Sequence, residues 1–213
     1  MTGAFTTTDW NLTPERTVLV NIDDQNDFLH EDGAYAKGGV DISHMQRVIE
    51  PTNELVGACR TAGIPIIWTT HGTHGPEDAG PFFNLRPLLK DGGLRIGTWG
   101  YELADAMDVE DDDWIVAKYR HSGFFETNLD LSLRALKADT VLITGVLTNQ
   151  CVGATTKDAL YRDYKPIVVE ECTGTAFPEL HDPAIAMIRA GWGQVNTLAP
   201  TLDEISKLSK VAA

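Results

Sequence analysis

Short apolar runs alternate along this chain with segments whose apolar residues recur at helical spacing. "TVLVNID" (17–23) is almost continuously apolar and reads as a buried strand. "IPIIWTTH" (64–71), "DWIVAK" (113–118), "DTVLITGV" (139–146), "KPIVVEE" (165–171) and "GQVNTL" (193–198) read the same way. Between the first two, 43–63 reads as helix, with Ser43 as N-cap and Gly63 as C-cap; Pro51 predicts a kink or a break between two helices. Leu129, Leu133 and Leu136 give 128–137 a helical stripe, and further helices are expected at 151–162, 181–190 and 202–210. The stretch 72–111 breaks the rhythm. It is rich in Gly, Pro and Asp, with one short helical piece near 100–107, and reads as an excursion over the functional face.

This alternation predicts an α/β fold in three layers, α/β/α, built on a six-stranded, mostly parallel sheet covered on both faces. No repeat or long linker interrupts it, and 43% apolar residues over 213 positions suffice for one core, so residues 1–213 read as a single domain. In such sheets ligands bind beyond the carboxyl ends of the strands. The polar residues that close the strands are therefore the candidates: Asp23 and Asp24 after the first, Lys118 after the third, and "TNQC" (148–151) after the fourth.

Charge narrows the partners. A net charge of −14, from 31 acidic and 17 basic residues, repels a phosphate backbone or an anionic membrane surface, so neither nucleic acid nor membrane is expected. No apolar run is long enough for a membrane span, and "MTGAFTTTDWNLTPERT" lacks the basic flank and apolar stretch of a signal peptide. Three widely spaced cysteines, Cys59, Cys151 and Cys172, argue against a disulfide framework and for a reducing, cytoplasmic setting.

Cys151 opens a predicted helix. Taken singly, it reads as a structural thiol, Lys118 as a snorkelling surface lysine, and Asp23 as a capping acid. Taken together they form an acyl-transfer set. A thiol becomes a good nucleophile as a thiolate, and a helix N-terminus and a nearby ammonium both favour that form. A carboxylate such as Asp23 can take the thiol proton and return it to a leaving amine.

At "VNIDDQNDF" (20–28), "IVAKYRHSGFFETNL" (115–129) and "ITGVLTNQCVGATTKDA" (143–159) the chain resembles the isochorismatase-like cysteine hydrolase superfamily, over nearly its whole length. The resemblance implies a six-stranded parallel sheet between helices, Asp23 as general acid and base, Lys118 as the charge that stabilises the thiolate, and Cys151 as nucleophile. It also implies a non-proline cis peptide between Val146 and Leu147, and an oxyanion hole formed by the Leu147 and Cys151 amides. A cysteine at 151 points to the amidase branch. No organic cofactor is required, and members are often dimers or tetramers, so a homo-dimer or homo-tetramer is expected.

Two departures bear on the substrate. Asp24 stands where the family commonly has an apolar residue, and reads as a helix- or loop-capping acid. Nicotinamidases carry an Asp-x-His metal motif where this chain has "TTHGTHGPED"; His71 takes the Asp position and Thr73 the His position, so no metal is assigned, although His71 and His74 are a metal-binding alternative. "KYRHSGFFETNLD" and "GTWGYELAD" resemble ureidoacrylate amidohydrolases, which implies a small ureido or amide substrate. Other specificities (nicotinamide, biuret, a lactam) and a non-catalytic binding domain are the rival readings. Gln25 and Asn149 are candidate partners for the urea, and Phe28, Trp99, Tyr119 and Trp68 are candidate pocket walls. Arg120, Arg95 and His121 are candidates for meeting a substrate carboxylate.

Overall fold

The computed structural model describes residues 10–209. Six strands form one sheet: β1 (Thr17–Ile22), β2 (Ile66–His71), β3 (Trp114–Lys118), β4 (Thr140–Val146), β5 (Lys165–Gly174) and β6 (Gln194–Asn196). Every pairing is parallel, in the order β3-β2-β1-β4-β5-β6. The chain winds outward one way from β1 and the other way from β4. The crevice between those two strands is thus the switch point at which such sheets bind ligands.

The helices are α1 (Asn26–Leu29), α2 (Ala34–Lys37), α3 (Ser43–Gln46), α4 (Ile49–Thr61), α5 (Pro76–Ala79), α6 (Phe82–Leu85), α7 (Leu129–Ala135), α8 (Gly153–Leu160), α9 (His181–Gly191) and α10 (Leu198–Ser209). None among the described residues is long and apolar enough to cross a membrane. Strand alternation sorts the core into two layers. Val18, Val20 and Ile22 of β1 pack with Leu129 and Leu133 of α7 and Ile185 and Ile188 of α9. Leu19 faces the other way, toward Leu55, Val56 and Cys59 of α4 and Ile205 of α10.

Several expected boundaries move for local reasons. The 43–63 helix breaks at Arg47–Val48, before Pro51, which lies in the first turn of α4. A first-turn amide has no intrahelical acceptor, so proline costs nothing there. Ser43 is not an N-cap: it is the first residue of α3, and its amide donates to Asp41 Oδ1 at 2.9 Å. Gly63 does end α4, in the left-handed region at φ 72°. The piece at 100–107 is only a 3-10 turn over Trp99–Tyr101. The helix expected at 151–162 is preceded by a π turn over Thr148–Val152.

Gly145 explains how the sheet tolerates the switch. It sits at φ 99°, and a Cβ there would lie 2.1 Å from the Ile22 carbonyl oxygen. Backbone meets backbone, so no rotamer change relieves the clash. Gly145→Ala is expected to lose about 2 kcal/mol or more in equilibrium urea unfolding; an unchanged midpoint would show that β1 and β4 can part without cost.

Candidate active site

The carboxyl ends of β1, β3 and β4 bring Asp23, Lys118 and Cys151 together. Asp23 follows β1 directly and takes a left-handed backbone, φ 58°. Its amide donates to the Thr69 carbonyl at 3.2 Å, and its Oδ1 accepts the Thr69 hydroxyl at 2.7 Å. Two strands away, Lys118 pairs in register with His71. Its ammonium reaches back over β2 to Asp23 Oδ2 at 2.6 Å, with both side chains fully buried. A second contact, to the Arg120 carbonyl at 3.0 Å, satisfies another of the three ammonium protons.

Cys151 lies in the π turn that leads into α8. Its sulfur, the Asp23 carboxylate and a His71 ring nitrogen all fall within 4.8 Å of one another. The peptide between Val146 and Leu147 is cis, and the Leu147 carbonyl accepts the Gln150 and Val152 amides, which turns the chain into the helix. Cys151 is 3% exposed and lies behind His121, whose Nδ1 is 3.4 Å from the sulfur. Phe82 stacks edge-on to His121 at 5.2 Å and tilts on His71 at 5.1 Å, so an aromatic wall from the 72–111 excursion closes the site.

Burial sets the electrostatics. It pushes the Cys151 thiol up to about 12, with the Lys118 charge opposing the rise. Lys118 favours the thiolate, as the sequence reading expects, but desolvation is the larger effect. Burial also raises Asp23, held in check by Lys118 and Thr69. Burial works against the Lys118 charge, but Asp23 together with Cys151 more than compensates, and its net shift is upward. Burial holds His71 well below the ordinary histidine range and His121 at about 4, with Lys118 adding to both. Both imidazoles are neutral at pH 7, so Lys118 supplies the positive charge that acts on the sulfur, opposed by Asp23.

Asp23, His71 and Cys151 could in principle ligate a soft divalent ion, but the Lys118 ammonium already holds the Asp23 carboxylate and would repel a second cation. His74 belongs to no such cluster: it turns outward to Asp78 at 3.0 Å.

The pocket candidates fare unevenly. Gln25 spends its amide on the fold, with Nε2 donating to the His71 and Tyr101 carbonyls and Oε1 accepting the His71 amide. Phe28 is a core residue, 2% exposed, tilted on Tyr35 at 4.8 Å. Trp99 is 41% exposed and stands edge-on to His30, lining a separate surface cavity. Tyr119 stacks on His74, and Trp68 is buried with its indole donating to Asp113 at 2.8 Å. Asn149 accepts the Thr175 hydroxyl at 2.7 Å and lines, with His121 and Thr148, a cavity of about 550 Å³ that runs along α8 and α9. Arg120 is held by the Asp78 and Tyr119 carbonyls and Arg95 by the His74 carbonyl. Asp24 caps nothing: it is fully buried, neither carboxyl oxygen has a partner, and burial followed by Asp23 drives its pKa well above the ordinary value.

Four residues at the site went unread in the sequence. Thr69, a polar residue inside "IIWTTH" one strand from Asp23, carried a usable signal. Phe82, Tyr35 and Arg86 carried none, because four-residue helices and the turns that follow them are too short to show a period. The Tyr35 hydroxyl bonds Arg86 and lies within electrostatic reach of the Cys151 sulfur and Asp23, and Arg86 in turn acts on His121.

The isochorismatase domain family matches residues 17–200. The ureidoacrylate amidohydrolase RutB of Methylobacterium radiotolerans is 35% identical over 203 residues, covering 88% of this chain and 79% of that protein. A cysteine hydrolase from Pseudomonas syringae pv. phaseolicola superposes with a TM-score of 0.87 at 27% identity, covering 98% of this chain and all of the other. An N-carbamoylsarcosine amidase from Thermoplasma acidophilum superposes at 0.70 with 26% identity, covering 86% and 97% of the two chains.

Two outcomes are expected. Iodoacetamide should label Cys151 slowly at neutral pH and ever faster to beyond pH 10, and Lys118→Met should slow it about tenfold more; a labelling rate that levels off below pH 8 would refute the buried-thiol assignment. In urea unfolding, Asp23→Asn and Lys118→Met should each cost about 3–5 kcal/mol, because each leaves a buried charge unpaired. The double variant should be more stable than either single one.

Proposed function

The chain belongs to the isochorismatase family, and on that premise we propose that it is a cysteine-dependent amidohydrolase that removes the carbamoyl group from a small ureido acid. The observation that carries the reading is the convergence of the Cys151 sulfur and the Asp23 carboxylate within 4.8 Å, with Lys118 bound to that carboxylate at 2.6 Å. Two similar proteins are named for carbamoyl-type substrates, ureidoacrylate and N-carbamoylsarcosine, which supports the ureido class.

The electrostatics set the order of events. A thiol near 12 does not ionise ahead of the reaction. Asp23 takes its proton as sulfur attacks the ureido carbonyl, so the negative charge passes to the carbonyl oxygen without resting on sulfur. The Leu147 and Cys151 amides receive that oxygen; one such donor is typically worth about a hundredfold or more in rate. Lys118 keeps Asp23 from accepting a proton prematurely and offsets the charge that develops. Asp23 then protonates the leaving nitrogen, and the C–N bond breaks to give an amine and a thiocarbamate on Cys151. Water attacks that carbonyl, Asp23 takes a proton from the water and returns it to sulfur, and carbamate leaves. No redox change occurs, and no organic cofactor enters.

We also take the enzyme to be a cytoplasmic homo-dimer or homo-tetramer. Free Cys59, Cys151 and Cys172 support a reducing setting, and Tyr161 and Met187, 71% and 53% exposed beside the α8–α9 cavity, suit a subunit contact.

The test is amine and ammonia release over a panel of ureidoacrylate, 3-ureidopropionate, N-carbamoyl amino acids, biuret and nicotinamide. Ureido acids are expected to be the best substrates. Cys151→Ala should lower turnover about a thousandfold or more, with the circular dichroism and unfolding midpoint retained. Preference for nicotinamide or biuret would overturn the substrate class; turnover surviving in Cys151→Ala would overturn the covalent route.

A further inference from the structure

Arg86 is the cation at this site that the mechanism leaves unused. It follows α6, and Pro87 beside it bars the helical conformation, so the helix stops and the side chain is released at φ −135°, ψ 72°. Its guanidinium lies over the Phe177 ring at 5.6 Å. Phe177 belongs to the segment after β5 that Thr175 ties to Asn149 at the site. On the other side stands the Tyr35 hydroxyl, which is itself close enough to Cys151 and Asp23 to feel their charge. The Arg86 charge also acts on His121, whose Nδ1 lies 3.4 Å from the sulfur.

The guanidinium is also short of partners. Nε is buried with nothing to bond, Nη1 donates to the Leu85 carbonyl, and among the described residues no carboxylate pairs with it. In a chain with 31 acidic residues, a half-buried arginine without a carboxylate partner is poorly accounted for by the fold alone. An aromatic face, a phenol and a free donor edge are what a planar carboxylate needs.

We propose that Arg86, backed by the Tyr35 hydroxyl, binds the carboxylate of the substrate and determines its class: small acids that carry the carbamoyl group a few bonds away, within reach of Cys151. The inference rests on the ureido-acid reading above and deepens it. It replaces Arg120, Arg95 and His121 as the candidate cation. Arg120 is held by two backbone carbonyls and His121 is neutral; Arg95 shares with Arg86 an unbonded Nε and one carbonyl contact, but of these arginines only Arg86 acts on Tyr35 and His121 at the site. It also accounts for how an acidic protein admits an anionic substrate: one unpaired local charge outweighs a distant net charge that salt screens.

The experiment compares 3-ureidopropionate with propylurea, which has a methyl group in place of the carboxylate, in wild type, Arg86→Gln, Arg86→Lys and Tyr35→Phe. Wild type should prefer the acid in kcat/KM, and Arg86→Gln should collapse that preference about ten- to hundredfold toward unity, mostly through KM. Arg86→Lys should recover part of it, and Tyr35→Phe should lose a smaller part. Calorimetry on Cys151→Ala protein, with and without Arg86→Gln, uses glutaramate, a carboxylate whose amide carbon chain lacks the ureido nitrogen. If wild type cleaves ureido compounds but Arg86→Gln lowers both substrates equally or leaves the preference intact, the carboxylate subsite is wrong and the ureido reading stands. If no ureido compound is cleaved but glutaramate binding still depends on Arg86, the ureido reading is wrong and the subsite stands. Absence of both overturns both.

Discussion

The buried ion pair between Lys118 and Asp23 is the constraint on which the site depends. Both side chains are fully buried and meet at 2.6 Å. Removing two charges from water is costly, and their attraction offsets that cost only while each holds the other in place. β3 supplies the lysine at the edge of the sheet, β1 the aspartate at its centre, and β2 passes between them with Thr69 bonded to the acid. A shift of one residue in any of these registers would part the charges. The sheet and the chemistry are therefore specified by the same interaction.

The pair also governs the sulfur. Cys151 is buried deeply enough that its thiol stays protonated, and the charge beside it is already shared with Asp23. In the proposed reaction such a thiol is quiet until a carbonyl arrives to take the charge. His121 and Phe82 close over it, and both imidazoles nearby are neutral, so neither competes with Asp23 for the proton. The resting site favours selectivity over general thiol reactivity, in keeping with an amidohydrolase that must leave other carbonyl compounds alone.

The same burial explains why some side chains look misplaced on a reading by residue type. Gln25 has the donors and acceptor that a urea would want, but it lies under the β2 end and the 99–101 turn, where it satisfies backbone groups that no water can reach. Asp24 sits beside Asp23 and has no hydrogen-bond partner, so burial and the neighbouring carboxylate both favour its protonated form.

By itself the amino-acid sequence determined the layered α/β architecture and the three residues of the Asp, Lys and Cys set. Continuous apolar runs mark strands buried on both faces, and parallel strands put their carboxyl ends on one edge. That rule places Asp23, Lys118 and the residues after β4 near one another without any knowledge of their contacts. The tertiary structure alone decided what depends on distance and desolvation: that Thr69 braces Asp23, that His71 lies at the sulfur and His74 does not, that burial overrides Lys118 at the thiol, and that Arg86 enters from an irregular segment. Periodicity encodes which face a residue is on, and says nothing of which distant loop folds over that face or how much water it leaves there.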